Sequence, residues 1–189
     1  MVRNACKRHR LPWSVVGNRF SELQRPKIWR NRGRCRFRLV PDPGPFFAVG
    51  HPGRGAAFGD LDNDGDIDVV INRMDSAPAV LLNESRPAQW IRLELVGTRS
   101  NRSAIGTSVV VHAGDRVFYR QAKGGGSFAS ANDPRLLIGL GEAERVERVE
   151  ISWPSGRKTI LTEPALGRSH RVVEPTGDPP PAAIGPRLP

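Results

Sequence analysis

The chain has 189 residues and a formal net charge of +10, with few aromatic residues and many glycines (20) and prolines (17). This composition is typical of a turn-rich β protein and argues against a helical one. No run approaches the roughly 18 to 20 apolar residues of a membrane-spanning helix, and residues 11–17 are too short and too polar for the core of a secretory signal.

The positive charge is confined to the start of the chain. Residues 1–38 contain twelve Lys or Arg and one acid, which gives +11, whereas residues 39–189 sum to −1. We expect residues 1–45 to form a basic arm without regular structure. Such an arm is a solvated segment, a binder of nucleic acid or anionic lipid through counterion release, or sequence from a misassigned start. Both cysteines, Cys6 and Cys35, lie in this arm, and nothing indicates a disulfide framework.

From Phe46 onward, short apolar runs alternate with turn signals, which predicts strands. In WIRLELV (90–96), for example, every second residue is apolar, as a half-buried strand requires. We expect tight turns at 113–115 and 154–156, one helical turn near 142–146, and an extended proline-rich tail at 175–189. The predicted strands are 56–59, 68–72, 79–83, 90–96, 106–112, 116–122, 136–139, 147–153, 157–161 and 169–174.

The stretch DLDNDGDID (60–68) concentrates five aspartates in nine residues. Carboxylates fall at alternate positions, and Gly65 supplies the freedom that a sharp turn needs. Hard oxygen ligands in this number suit Ca²⁺ better than Mg²⁺, which prefers few protein ligands and several waters. The loop is not an EF-hand, because the twelfth position is an isoleucine within a β-rich run. We predict a Ca²⁺ loop between two strands; an exposed acidic turn without metal is the alternative. Its ligands are the side chains of Asp60, Asp62, Asp64 and Asp68 and the backbone carbonyl of Asp66.

Two segments resemble known families. GRGAAFGDLDNDGDIDVVI followed by AVLLNE resembles an FG-GAP/VCBS repeat, a family in which each repeat is part of a propeller blade and the loop binds calcium. AIG, GGGSFAS, IGLG and VEISWPSG resemble the ASPIC/UnbV domain, which follows such repeats in cartilage acidic protein and its bacterial relatives. Ala131 departs from that family's glutamine, and Leu137 and Ile138 replace its His-Phe.

The resemblance implies an all-β chain, with a partial β-propeller blade followed by a small β-sandwich-like module. The expected organisation is an arm at 1–45, one calcium repeat at 46–86, the ASPIC/UnbV domain at 87–174 and a tail at 175–189. Only one repeat is found, and one blade cannot close a ring. We therefore expect the sequence to be the C-terminal part of a longer protein, with a degenerate gene product as the alternative.

The expected function is non-enzymatic. The four histidines are scattered, no nucleophile elbow is present, and GGGS lacks the Gly-Lys-Ser/Thr ending of a P-loop. The resemblance implies an extracellular or envelope protein that binds Ca²⁺ and contacts protein or glycan, with further propeller repeats as possible partners. Two alternatives stay open: an accessory protein of an enediyne-type secondary-metabolite pathway, and nucleic-acid binding through the basic arm.

Overall fold

A computed structural model describes residues 23–85, 88–126 and 128–177. About half of the arm and most of the tail, at 1–22 and 178–189, lie outside this range. The described residues divide into two units. One contains the residues up to Arg54 together with Arg73–Ala77, and the other contains Gly55–Asn72 and the residues from Pro78 onward. Apart from one four-residue helix, the described elements are all strands, which confirms the all-β prediction.

The first unit contains an antiparallel hairpin of β1 (Trp29–Asn31) and β2 (Phe37–Leu39), followed by α1 (Pro45–Ala48). Between the strands, Gly33, Arg34 and Cys35 all have positive φ, which reverses the chain. This hairpin differs from the expected arm without regular structure. Arginines that alternate with apolar residues have the period of two that a strand shows, and the high charge obscured that pattern.

Three short strands form the sheet around the acidic stretch. They are β3 (Gly53–Gly59), β4 (Asp68–Arg73) and β5 (Ala79–Leu81), in the order β3-β4-β5. The backbone of residues 128–133 runs along β3, where the Asp133 amide donates to the Phe58 carbonyl over 2.9 Å. Approach is closest at Gly55, where a Cβ would lie 2.7 Å from the Ala129 carbonyl oxygen.

Two further sheets form the rest of the second unit. The first has the order β12-β6-β9, with β12 parallel to β6, and the second is antiparallel with the order β11-β10-β7-β8. Their strands are β6 (Gln89–Val96), β7 (Ser108–Ala113), β8 (Arg116–Gln121), β9 (Leu136–Gly141), β10 (Arg148–Ser152), β11 (Lys158–Thr162) and β12 (Arg168–Val173).

The side chains of these two sheets form one hydrophobic core. Ile91 and Leu93 of β6 meet Val111 of β7 and Val149 of β10 in the same buried cluster. The apolar side predicted for WIRLELV is thus the core side, since Ile91 and Leu93 are fully buried.

Each of the ten predicted strands overlaps an observed one, and Gly114 and Gly156 take positive φ in the predicted tight turns. The helical turn predicted near 142–146 is wrong, because this segment is an irregular connection. The segment connects β9 to β10, which belong to different sheets, so its few residues cross from one sheet to the other and do not form a helical turn. Within the described ranges, no helix is long and apolar enough to cross a membrane.

Candidate metal centre

The acidic stretch is the connection between β3 and β4. Its turn uses positive φ at Asn63 (65°) and Gly65 (98°). A side chain at Gly65 is also excluded by packing, since a Cβ there would lie 2.0 Å from Trp90 Nε1. The indole of Trp90 therefore lies against the loop backbone, and only glycine allows both the turn and this contact.

The fold brings three of the five predicted ligands together. Oxygen atoms of Asp60, Asp62 and Asp68 all lie within 4.8 Å of one another. Asp60 and Asp68 are each about 1% exposed, whereas Asp62 is exposed. The two buried carboxylates come from the ends of β3 and β4, so the strand pairing itself positions them.

The side chains of Asp64 and Asp66 are not part of this three-residue group. Asp64 Oδ1 accepts the Asp66 amide over 3.0 Å, which supports the turn. Asp66 Oδ2 accepts the Ser85 hydroxyl over 3.1 Å. We predicted that Asp64 binds the ion through its side chain and Asp66 through its backbone carbonyl. Both roles stay predictions.

Backbone amides hold the buried carboxylates in place. Asp68 accepts the amides of Leu61 and Asn83, at 2.8 and 2.9 Å. Asp60 Oδ2 accepts the amide of Gly65 at 3.0 Å. These bonds tie the two buried carboxylates to the backbone of the loop and of the segment after β5.

Two buried oxygens of the loop have no hydrogen-bond partner among the described residues: Asp60 Oδ1 and Asp66 Oδ1. Burial raises the pKa of the Asp66 carboxyl, and the charges of Asp64, Asp68 and Asp62 add to this, while the Ser85 hydrogen bond opposes it. A buried carboxylate oxygen without a partner is costly. A divalent cation bound by oxygen ligands would remove that cost, and this donor set fits Ca²⁺.

One protein cation already contacts the cluster. Arg92 Nη1 lies 2.8 Å from Asp60 Oδ2, and the two side chains are 6% and 1% exposed. Arg92 Nε donates to the Ser169 hydroxyl over 2.9 Å, and its guanidinium lies 5.5 Å from the Trp90 ring centroid. Arg92 thus fixes the loop to β6 and to β12.

A second arginine holds the loop from the other side. Arg135 donates to the Asp60 carbonyl over 3.0 Å and to Asn63 Oδ1 over 3.1 Å. Arg135 also forms a 2.6 Å ion pair with Asp133. Burial raises the pKa of the Asp133 carboxyl, but the hydrogen bonds and charge of Arg135 outweigh burial and lower this pKa. Sequence reasoning missed both arginines. The available signal was an arginine, Arg92, in the predicted strand that comes after the acidic loop in the chain.

The WPSG motif takes part in a different polar site. Trp153 is 3% exposed within the core, and its Nε1 donates to the Thr159 hydroxyl over 2.9 Å. The next residues of the motif face the end of β12. The Ser155 hydroxyl donates to Glu174 in a short bond, and Arg157 donates to the carbonyl of Gly177.

Glu174 lies 1% exposed at the centre of that site. Its Oε2 accepts three successive amides, of Thr98, Arg99 and Ser100, each at 2.8 Å. Burial alone would raise the pKa of Glu174, but these bonds and that of Ser155 lower it to about 2. Nothing in the sequence pattern marked Glu174, because the three amides that it accepts lie some 75 positions away in the chain.

The comparisons with known proteins concern this second part of the chain. Residues 97–179 match the family model described as ASPIC and UnbV. No curated protein matches the sequence. The matched segment contains β7 to β12 and the Glu174 site, while the acidic loop and Arg92 lie before it.

Proposed function

We propose that this is a non-enzymatic, calcium-stabilised β protein, in which an FG-GAP/VCBS-like repeat contains the acidic loop and precedes the ASPIC and UnbV segment. Asp60, Asp62 and Asp68 would bind the ion through their side chains. Asp64 and the backbone carbonyl of Asp66 would complete the oxygen ligands. The ion would act as a structural cross-link and supply no reaction chemistry.

The observation that carries the proposal is the incomplete pairing of a buried carboxylate. Asp60 is buried and meets Arg92 and the Gly65 amide through Oδ2 alone, which leaves Oδ1 without a partner. Oxygens of Asp62 and Asp68 lie within 4.8 Å. A single arginine does not balance three carboxylates, and at such separations each like-charged pair costs about 1 kcal/mol even in water.

The position of the loop suggests what the ion would stabilise. The ion would link the end of β3 to the start of β4 and hold both next to Arg92 and Arg135. Loading would therefore stabilise the β3–β5 sheet and the β6 sheet together. The free energy of binding would appear as folding free energy.

The sheet β3–β5 also offers apolar contacts. No large apolar side chain in it is fully buried, and several on it and its flanking loops are 42–55% exposed. These are Phe58, Leu61, Ile67, Val80 and Leu82. A blade-like sheet of this kind requires a neighbour to cover it, and a further repeat of the same type would supply one. From the resemblance, we also propose an extracellular or envelope location and a protein or glycan as the binding partner.

Thermal denaturation with and without Ca²⁺ tests the proposal. At a calcium concentration about 100 times the Kd, a single site stabilises a protein by about 2.7 kcal/mol. For a domain of this size, we expect Tm to rise by roughly 5–10 °C. A Tm that does not respond to millimolar Ca²⁺ would contradict the proposal.

A matched pair of variants separates the site from general ion effects. Asp62→Asn retains the oxygen that accepts the Asp64 amide but removes one charge from the cluster. Asp115→Asn makes the same chemical change at an exposed turn outside it. The first variant should lose most of the calcium-induced rise in Tm, and the second should keep all of it.

A further inference from the structure

The β1–β2 hairpin has one apolar face. Trp29 is paired with Leu39, and Phe37 lies next to them across the strands, opposite Asn31. Directly paired residues and alternate residues of a strand share a face, so these three apolar side chains lie together. They are 39–60% exposed. We call Trp29, Phe37 and Leu39 the apolar face.

The opposite face of the hairpin consists of arginines. Arg30 is paired with Arg38, and the Arg32 amide donates to the Arg36 carbonyl over 2.8 Å, which continues the same register. All four residues are exposed. We call Arg30, Arg32, Arg36 and Arg38 the arginine face.

The arginine face has no internal charge balance. Residues 23–41 contain seven Lys or Arg and no acid. No ion pair involves an arginine of this face among the residues that the structure describes. Like charges directly opposite each other destabilise a two-stranded ribbon, so an anionic partner would relieve a repulsion that the hairpin carries by itself.

We propose that this hairpin binds the surface of an anionic lipid bilayer. A nucleic acid would use the arginine face and leave Trp29, Phe37 and Leu39 in water. A lipid interface uses both faces: the apolar side chains enter the boundary between headgroups and acyl chains, and the arginines remain among the phosphates. A ribbon about 10 Å thick fits this arrangement, because interfacial segments insert by only about 5–10 Å.

The experiment uses the full chain with vesicles of phosphatidylcholine, with and without phosphatidylglycerol. The protein should sediment with the anionic vesicles only, its tryptophan emission should shift to the blue, and salt should weaken binding. Each arginine near an anionic surface contributes about fivefold to partitioning. We expect the variant R30Q/R32Q/R36Q/R38Q to lose roughly tenfold or more of its partitioning.

Three variants control this result. R102Q/R120Q/K123Q/R168Q removes the same charge from exposed positions elsewhere and should bind within about threefold of the wild type, allowing for its lower net charge. Replacing the four arginines by lysine should restore binding. W29S/F37S leaves the charge unchanged and should still lose roughly tenfold, since it removes the apolar insertion.

Two outcomes would overturn the proposal. One is vesicle binding that the W29S/F37S variant leaves unchanged. The hairpin would then bind through its positive charge alone, without insertion of the apolar face. The other is binding to duplex DNA or RNA that exceeds binding to the anionic vesicles and does not depend on Trp29 and Phe37, which would identify a nucleic-acid surface. All six substituted positions of the hairpin are solvent-exposed, so the variants should keep the Tm of the wild type.

Discussion

Asp60 and Glu174 are both buried carboxylates, each about 1% exposed, yet their surroundings differ. Glu174 accepts three backbone amides on Oε2 and two serine hydroxyls on Oε1. Asp60 meets one arginine and one amide on Oδ2, and its Oδ1 has no partner. A buried carboxylate with a complete set of hydrogen-bond donors has a structural role, whereas one with an incomplete set beside other carboxylates indicates a cation-binding site.

The Glu174 site also explains the WPSG motif in physical terms. Ser155 and Arg157 bind the segment that follows β12, and Ser100 binds from the loop after β6. Three separate parts of the chain therefore meet at one carboxylate. In the segment that matches the ASPIC and UnbV model, this arrangement fixes the parallel strand β12 at the edge of its sheet.

The largest expected effect comes from Arg92→Gln, which leaves Asp60 buried without a cation. Removing one partner of a buried ion pair costs about 3–5 kcal/mol, and urea denaturation in the presence of EDTA measures it. Ca²⁺ should recover part of the loss. As a control, Arg171→Gln breaks an exposed 3.5 Å pair with Glu94, and it should cost less than about 1 kcal/mol. Equal losses for the two variants would mean that Asp60 needs no cation.

A somewhat smaller effect is expected from Glu174→Gln. Glutamine keeps the shape of the side chain but removes the negative charge that accepts the three backbone N–H groups. Hydrogen bonds to a charged group are worth about 1.5–3 kcal/mol each. We expect a loss of about 2–4 kcal/mol in the free energy of unfolding, with no recovery by Ca²⁺. Glu144→Gln, at an exposed position, is the matched control. Recovery of E174Q by Ca²⁺ would remove the distinction between the two sites.

The smallest effect concerns pH. The folded pKa of Glu174, about 2, lies below its ordinary value of 4.5. The stability that it contributes is therefore fully present above pH 4.5 and is lost as the pH falls toward 2. Between pH 5 and pH 3 only part is lost, so the unfolding free energy of the wild type should fall toward that of E174Q. Parallel curves for the two proteins across this range would contradict the assigned role.

Much of the fold could be predicted from the sequence, because strands with one buried face show a local pattern. The alternation in 90–96 correctly placed Ile91 and Leu93 in the core. The spacing likewise selected five loop aspartates, and the structure brings the side chains of Asp60, Asp62 and Asp68 together. These features depend on neighbours along the chain.

What the sequence did not reveal depends on distant contacts. Arg92 lies 32 positions from Asp60, Arg135 lies 75 positions from it, and Glu174 lies 74 positions from Ser100. No local pattern encodes such partners, which are set by sheet order. The hairpin β1–β2 was missed for another reason: its arginines dominated the interpretation of a segment whose alternation was that of a strand.

Terbium luminescence is the most direct test of the central claim that the loop binds a hard cation. Tb³⁺ takes oxygen ligands as Ca²⁺ does, and Trp90 lies against Gly65 in the loop, close enough to sensitise it. The account predicts tryptophan-excited Tb³⁺ emission that Ca²⁺ displaces and that both Trp90→Phe and Asp62→Asn strongly reduce. Emission that is absent, or that persists unchanged in both variants, would contradict it.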